Sequence, residues 1–298
     1  MFMISINSKK KIRLTVMICS VLLLIGCVIF LIYYLGIQPY HSRQLNNKYK
    51  SLYYSVSDSN ESDGNNEVVN DNSSENVPVD LNLDKSYEEG AKGSDGILLK
   101  FSKLIEINSD IRGWLKVPGT NIDYPVMWTP EDETYYLYRA FDGSENKNGC
   151  LLLDDESCVD PLTTNLIIHG HNMKSGAMFG NLTDYENQDF YKEHKNIILY
   201  TEECQRNYEI IAVFRSQVYR KTDQVFKFYK FFQADTQEEF DDFYNNIKQL
   251  SQYDTGVTAE FGDHFLTLST CVYHVEQGRF VVVAKEVEPG DYYLPIQE

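Results

Sequence analysis

Residues 264–287 read HFLTLSTCVYHVEQGRFVVVAKEV. Two apolar runs flank a short glycine-containing segment, the pattern of two antiparallel strands joined by a turn. In FLTLSTC (265–271) the period-two alternation of a strand sends Leu266 and Leu268 to one face and Thr267, Ser269 and Cys271 to the other. Cys271 therefore ends a polar row, and a polar row at a strand end is expected to line a cleft. Arg279 stands eight residues later at the start of the second run. The hairpin predicts the thiol and the guanidinium at adjacent strand ends.

Upstream the same texture repeats. NIDYPVM (121–127), GCLLLD (149–154), NLIIHG (165–170), NIILYT (196–201) and YEIIAVFRSQVY (208–219) are short apolar runs punctuated by Pro, Gly and Asp. Seven or eight such strands predict a mainly β fold, a barrel or a sandwich. A short helix is expected to open the domain near Ser94, because Ile97, Leu98, Phe101, Leu104 and Ile105 share one helical face. A second helix interrupts the strands at 236–250. Its stripe is Phe240, Phe243, Tyr244, Ile247 and Leu250, and Thr236 with Glu239 makes a capping box at its start.

Ahead of this domain the composition changes twice. Residues 1–13 hold four basic side chains, Lys9, Lys10, Lys11 and Arg13, and Leu14–Ile37 is a run of 24 residues without a charge. As a helix it is about 36 Å long, enough to span a bilayer, and it exceeds the core of a cleavable signal peptide. We read 14–37 as an uncleaved single-pass anchor with 1–13 on the cytoplasmic side. Residues 38–96 read as a stalk. Within it, 56–96 carries 11 acidic residues against Lys85 and Lys92, with Tyr87 its only aromatic. Too little apolar surface remains there to offset chain entropy. The sequons at Asn60 and Asn72 are the coincidences expected in an Asn/Ser-rich stretch. The domain of interest is then 97–298.

The 298-residue chain has 27 Lys and Arg against 44 Asp and Glu, a formal charge of -17. That balance repels phosphate backbones and excludes nucleic acid as a partner. Of the six cysteines, Cys19 and Cys27 fall in the apolar span, leaving Cys150, Cys158, Cys204 and Cys271. Four are too few for a disulfide-built scaffold, and no Cys-x-x-Cys pair offers zinc-ligand spacing. A bridge between Cys150 and Cys158 stays open. NLIIHGHNM (165–173) is an apolar strand that breaks at Gly170 between two imidazoles, placing His169 and His171 where they can reach a neighbouring strand. Either histidine can serve a cysteine nucleophile as acid and base.

GWLKVPGTNIDYPVM, NLIIHGHNM followed by GAMFGNL, TLSTC, and an arginine eight residues on resemble the signature stretches of sortases, specifically class B. The resemblance covers about residues 97–288, and the anchor and stalk fit the same family. It implies a closed eight-stranded β-barrel with an N-terminal helix and a helix inserted before the nucleophile strand. It implies a membrane-bound cysteine transpeptidase with an extracytoplasmic catalytic domain and no cofactor. The substrates implied are secreted proteins bearing a C-terminal sorting signal, joined to an amine of the Gram-positive cell wall. By motif position Cys271 is the nucleophile, His171 the acid and base, Arg279 the cationic partner and Ser269 a substrate contact. A pilin-polymerising sortase, a thiol protease in which water resolves the acyl-enzyme, and a non-enzymatic surface adhesin are the alternative readings.

Overall fold

The computed structural model describes residues 6–55 and 97–287. Five helices and eight strands are used below: α1 (Ile6–Ile32), α2 (Gln38–Ser55), α3 (Leu99–Ile107), β1 (Ile111–Lys116), β2 (Asp123–Met127), β3 (Leu151–Leu153), β4 (Asn165–Gly170), α4 (Gln188–Glu193), β5 (Asn196–Tyr200), β6 (Gln205–Gln217), α5 (Gln237–Leu250), β7 (Phe265–Cys271) and β8 (Gly278–Val287). The chain divides into two units, residues 1–48 and 49–298.

In the first unit α1 and the first turns of α2 are joined by a π turn at Tyr33–Ile37. By length and composition this helix can cross a membrane.

In the second unit the strands close into a barrel in the order β1-β2-β3-β4-β7-β8-β6-β5, with β5 returning to β1. Closure leaves no edge strand exposed. Leu115, Val126, Leu151, Leu166, Ile168, Leu199, Leu266, Leu268 and Val282 fill the interior. Most pairs are antiparallel, but β2 with β3 and β4 with β7 run parallel. The segment between β6 and β7 covers the outer face of the wall. There Phe240, Phe243 and Ile247 of α5 bury against Phe265, Val281 and Val283, and Phe243 stacks on Phe231 with ring centroids 4.0 Å apart. The capping box forms as the sequence predicts: the Glu239 amide donates to Thr236 Oγ1, and the Glu239 carboxylate accepts from the Thr236 amide.

Three expectations need correction. The helix near residue 97 starts at Leu99 with Leu98 in the N-cap position, not at Ser94, which lies outside the described residues. The polar row on β7 is largely covered: Thr267 is fully buried and donates to Asn165 Oδ1, Ser269 is buried, and only Cys271 is exposed. The cause is the β6–β7 excursion, which packs on the same outer face.

The stalk expected from residue 38 is helical to Ser55. Tyr49 and Tyr53, one turn apart, share a helix face and pack on the barrel. Tyr53 lies flat on Trp114, centroids 4.4 Å apart and planes 6° apart, with Phe101 and Tyr200 at its edges. Lys50 pairs with Asp123 at 2.6 Å, and Asp123 also accepts from Trp114 Nε1. The acidic segment 56–96 and both sequons lie outside the described residues.

The Tyr53 hydroxyl is buried without a partner, so ring and hydroxyl act in opposite directions. Tyr53→Ala should cost about 3 kcal/mol in denaturant unfolding, whereas Tyr53→Phe should be neutral or stabilising. A silent Tyr53→Ala would show that the end of α2 does not contribute to the barrel.

Candidate active site

The site is assembled by strand register. β4 and β7 run parallel and pair His169 with Ser269 and Gly170 with Thr270. Thr270 Oγ1 fastens the end of this ladder by donating to Gly170 O at 2.7 Å. β7 and β8 run antiparallel and pair Cys271 with Arg279. One residue past the last β4–β7 pair comes His171, whose neighbour Asn172 bonds to Cys271 O, and Arg279 pairs with Cys271 on the other flank. Paired residues on neighbouring strands point to the same face, and strands lie about 4.8 Å apart. Thiol and guanidinium are thus neighbours at the adjacent ends of β7 and β8, and His171 follows directly on the end of β4.

Two glycines stand at these strand ends. A Cβ on Gly170 would sit 2.6 Å from Leu151 Cδ2 and 2.7 Å from the Phe179 ring, so any side chain there would push both aside. A Cβ on Gly278 would collide with the Val272 carbonyl oxygen and come 2.8 Å from the His274 ring, so the start of β8 beside Arg279 has no room for a side chain. The loop after His171 is tied back to the strand: Asn172 Nδ2 donates to Cys271 O at 3.1 Å, and the Phe179 amide donates to His171 O at 3.0 Å.

The two imidazoles have different partners. His171 Nε2 lies 2.8 Å from Leu137 O. A carbonyl only accepts, so the proton resides on Nε2, leaving Nδ1 as the nitrogen free to take or give a proton. Tyr138 packs a tilted ring on the same imidazole at 5.3 Å. His169 Nε2 instead pairs with Asp154 at 3.0 Å. Burial works to raise the Asp154 carboxyl, but His169 and the Glu156 backbone N–H outweigh it and hold it below the ordinary range. The orienting group for His171 is thus a backbone carbonyl from the turn at Tyr135–Tyr138, which no side-chain motif marks.

Arg279 curls over its own turn, Nη1 donating to Gln277 O and Gly278 O, and the remaining guanidinium nitrogens have no protein acceptor among the described residues. The Ser269 hydroxyl, two residues before the thiol, is buried and unpartnered. Both side chains line a groove of about 240 Å³, together with Phe228, Tyr229, Asp154 and His169. Cys150 and Cys158 are free thiols, donating respectively to Arg139 O and Asp160 O.

The sortase domain family matches residues 115–287. Sortase B of Listeria monocytogenes is 34% identical over 186 residues, covering 62% of this chain and 72% of that protein. Among solved structures, sortase B from Bacillus anthracis in complex with AAEK1 aligns with a TM-score of 0.58 at 31% identity, covering 67% of this chain and 88% of that one. Sortase B of Clostridium perfringens aligns with a TM-score of 0.56 at 29% identity, covering 62% and 98%.

Asp154 gives a pH prediction. A carboxyl held low in the folded state stabilises the fold above its unfolded value near 3.8 and loses that contribution as pH falls through its folded value. Asp154→Asn should lower the thermal midpoint slightly at pH 7, by the equivalent of about 1 kcal/mol or less, and the gap to wild type should close below about pH 4. A gap that is constant from pH 7 to pH 3 would contradict the His169–Asp154 pairing.

Proposed function

This chain belongs to the sortase family, class B, whose members are transpeptidases, and from that premise we propose that it is a membrane-anchored cysteine transpeptidase that cleaves a sorting signal on secreted proteins and transfers the acyl fragment to a cell-wall amine. The observation that supports the reading is the pairing of Cys271 with Arg279 at the ends of β7 and β8, with His171 one residue past the end of β4, the parallel neighbour of β7.

Each residue has a role that follows from its chemistry. The Cys271 thiolate attacks the scissile carbonyl carbon, and the carbonyl oxygen takes the negative charge. Arg279, permanently cationic and with donors to spare, receives that oxyanion. As the tetrahedral adduct collapses, the C–N bond breaks and His171 Nδ1–H protonates the departing amide nitrogen, leaving a thioester on Cys271 and a neutral imidazole. The incoming amine attacks the thioester carbonyl while Nδ1 takes its proton. The C–S bond then breaks, and thiolate and imidazolium are restored. Throughout, Leu137 O keeps the other proton on Nε2 and so keeps Nδ1 directed to the reaction. Ser269 contacts the bound peptide. Proteins bearing a sorting signal are the first substrates and a cell-wall precursor amine the second. Amine transfer, in place of hydrolysis or pilin polymerisation, rests on the class B relatives.

The test is incubation of the full chain with a peptide library, with and without amine acceptors, and mass spectrometry of the products. Amine-ligated fragments are expected, and hydrolysis unaffected by added amine would contradict transpeptidation. Cys271→Ala should abolish cleavage while Cys204→Ala leaves it intact. His171→Ala should remove most turnover and His169→Ala less, since His169 is held by Asp154. Arg279→Lys keeps the charge and loses the planar fork, so kcat/KM should fall about 10²-fold, or about 2.7 kcal/mol. Near-wild-type activity in that variant would remove Arg279 from the mechanism.

The uncharged run 14–37 lies in a helix long enough to span a bilayer, and we assign it as the anchor that holds the catalytic domain at the outer face of the cell membrane. The full-length protein should sediment with membranes and resist carbonate extraction. A secreted form shortened by about 40 residues would instead identify a cleaved signal.

A further inference from the structure

We infer that Tyr138 is a positioning residue for His171: its ring fixes the plane of an imidazole whose Nε2 is held by the carbonyl of the preceding residue. The inference rests on the transpeptidase reading and deepens it, adding a residue that acts on the reaction through His171.

The imidazole is contacted by two consecutive residues. Leu137 O accepts from Nε2 at 2.8 Å, and the Tyr138 ring packs on the imidazole with centroids 5.3 Å apart and planes 33° apart. A hydrogen bond at one ring nitrogen fixes a point and leaves the ring able to swing about the N–H···O axis. An aromatic ring against the imidazole removes that rotation. With both contacts in place, Nδ1 keeps one direction. With the carbonyl alone, the imidazole can rotate or flip its ring, and the nitrogen that must move protons is no longer held where they are needed.

The support behind both contacts is built. The Cys150 amide donates to Tyr136 O at 3.0 Å and the Asn146 amide to Tyr138 O at 2.9 Å. Tyr136 is buried, donates its hydroxyl to Asp110 at 2.7 Å and accepts from Asn108 Nδ2 at 2.6 Å. Gly149, at φ +61°, lies so close to the Leu137 carbonyl that a Cβ would collide with its oxygen, so the carbonyl is backed by main chain. Cys150 directly precedes β3, and β3 pairs Leu152 with His169 on β4. The turn that holds His171 is thus fastened to the strand beside the one that His171 follows.

Tyr138 itself is 60% exposed, so it contributes little to the core. Among the described residues its hydroxyl has no hydrogen-bond partner, and His171 is the one ring it packs against. The flat ring, not the hydroxyl, therefore carries the effect. Removing the ring should disturb the imidazole and leave the barrel intact.

The test compares full-length Tyr138→Ala, Tyr138→Leu and Tyr138→Phe in detergent, each given a cleavable peptide and an amine acceptor. Tyr138→Ala and Tyr138→Leu should lose about tenfold in kcat with KM within about twofold of wild type, and Tyr138→Phe should restore kcat. Thermal midpoints should stay near wild type in all three. Nitrogen spectra of the histidine-labelled chain at about pH 9, where imidazoles are uncharged, give a second readout that a merely structural role would not move. The His171 signals, assigned by their loss in His171→Gln, should show the proton on Nε2 in wild type and Tyr138→Phe, and a mixture of tautomers in Tyr138→Ala. Full activity in Tyr138→Ala, a rise in KM at unchanged kcat, an unaltered His171 tautomer, or failure of Tyr138→Phe to restore kcat would each overturn this inference alone. Failure of the wild type to cleave any peptide would overturn the transpeptidase reading, and the nitrogen spectra would still decide whether Tyr138 positions His171.

Discussion

The parallel register of β4 against β7 is the constraint on which the rest of the site depends. It aligns Gly170 with Thr270, and the tie from Asn172 to Cys271 O follows just beyond that rung. A slip of one residue would turn the imidazole or the thiol to the opposite face. Thr270 Oγ1 on Gly170 O locks the last rung. The buried Thr267–Asn165 bond and the packing of Phe265 under α5 fix the ladder farther down. The helix inserted before β7 is therefore part of what holds this register.

The same wall separates stability from chemistry. Inward side chains such as Leu266, Leu268 and Val282 fill the barrel, and alternation places Ser269, Cys271 and Arg279 on the outer face. Most of that outer face is sealed by α5 and the segment leading to it. At the end of β7 the thiol is exposed, and Ser269 and Arg279 line the groove on this face. The proposed chemistry is placed where the packing runs out, on rigid strand termini.

Much of this was legible in the residues. Period-two runs marked the strands, Thr236 and Glu239 marked the start of α5, and the Cys271–Arg279 hairpin followed from two apolar runs around a glycine turn. Local signals could not give the β4–β7 pairing, because parallel strands separated by 100 residues leave no turn to read. Nor could they identify the group that orients His171, since a backbone carbonyl has no residue type. The Tyr49 and Tyr53 face of α2 was present at helical spacing, but it stands among polar residues next to an apolar span that dominated the reading. Burial of Thr267 and Ser269 depends on a distant segment folding over β7, which alternation along one strand cannot reveal.

The central claim is that Cys271, beside His171, forms a thioester that an amine resolves. Rapid quenching of the full-length protein with a cleavable peptide, followed by intact-mass measurement and peptide mapping, tests it directly. The account predicts an adduct equal in mass to the acyl fragment, located on Cys271, that decays faster when an amine acceptor is added. Peptide cleavage without any adduct on Cys271, or an adduct on another residue, would contradict it.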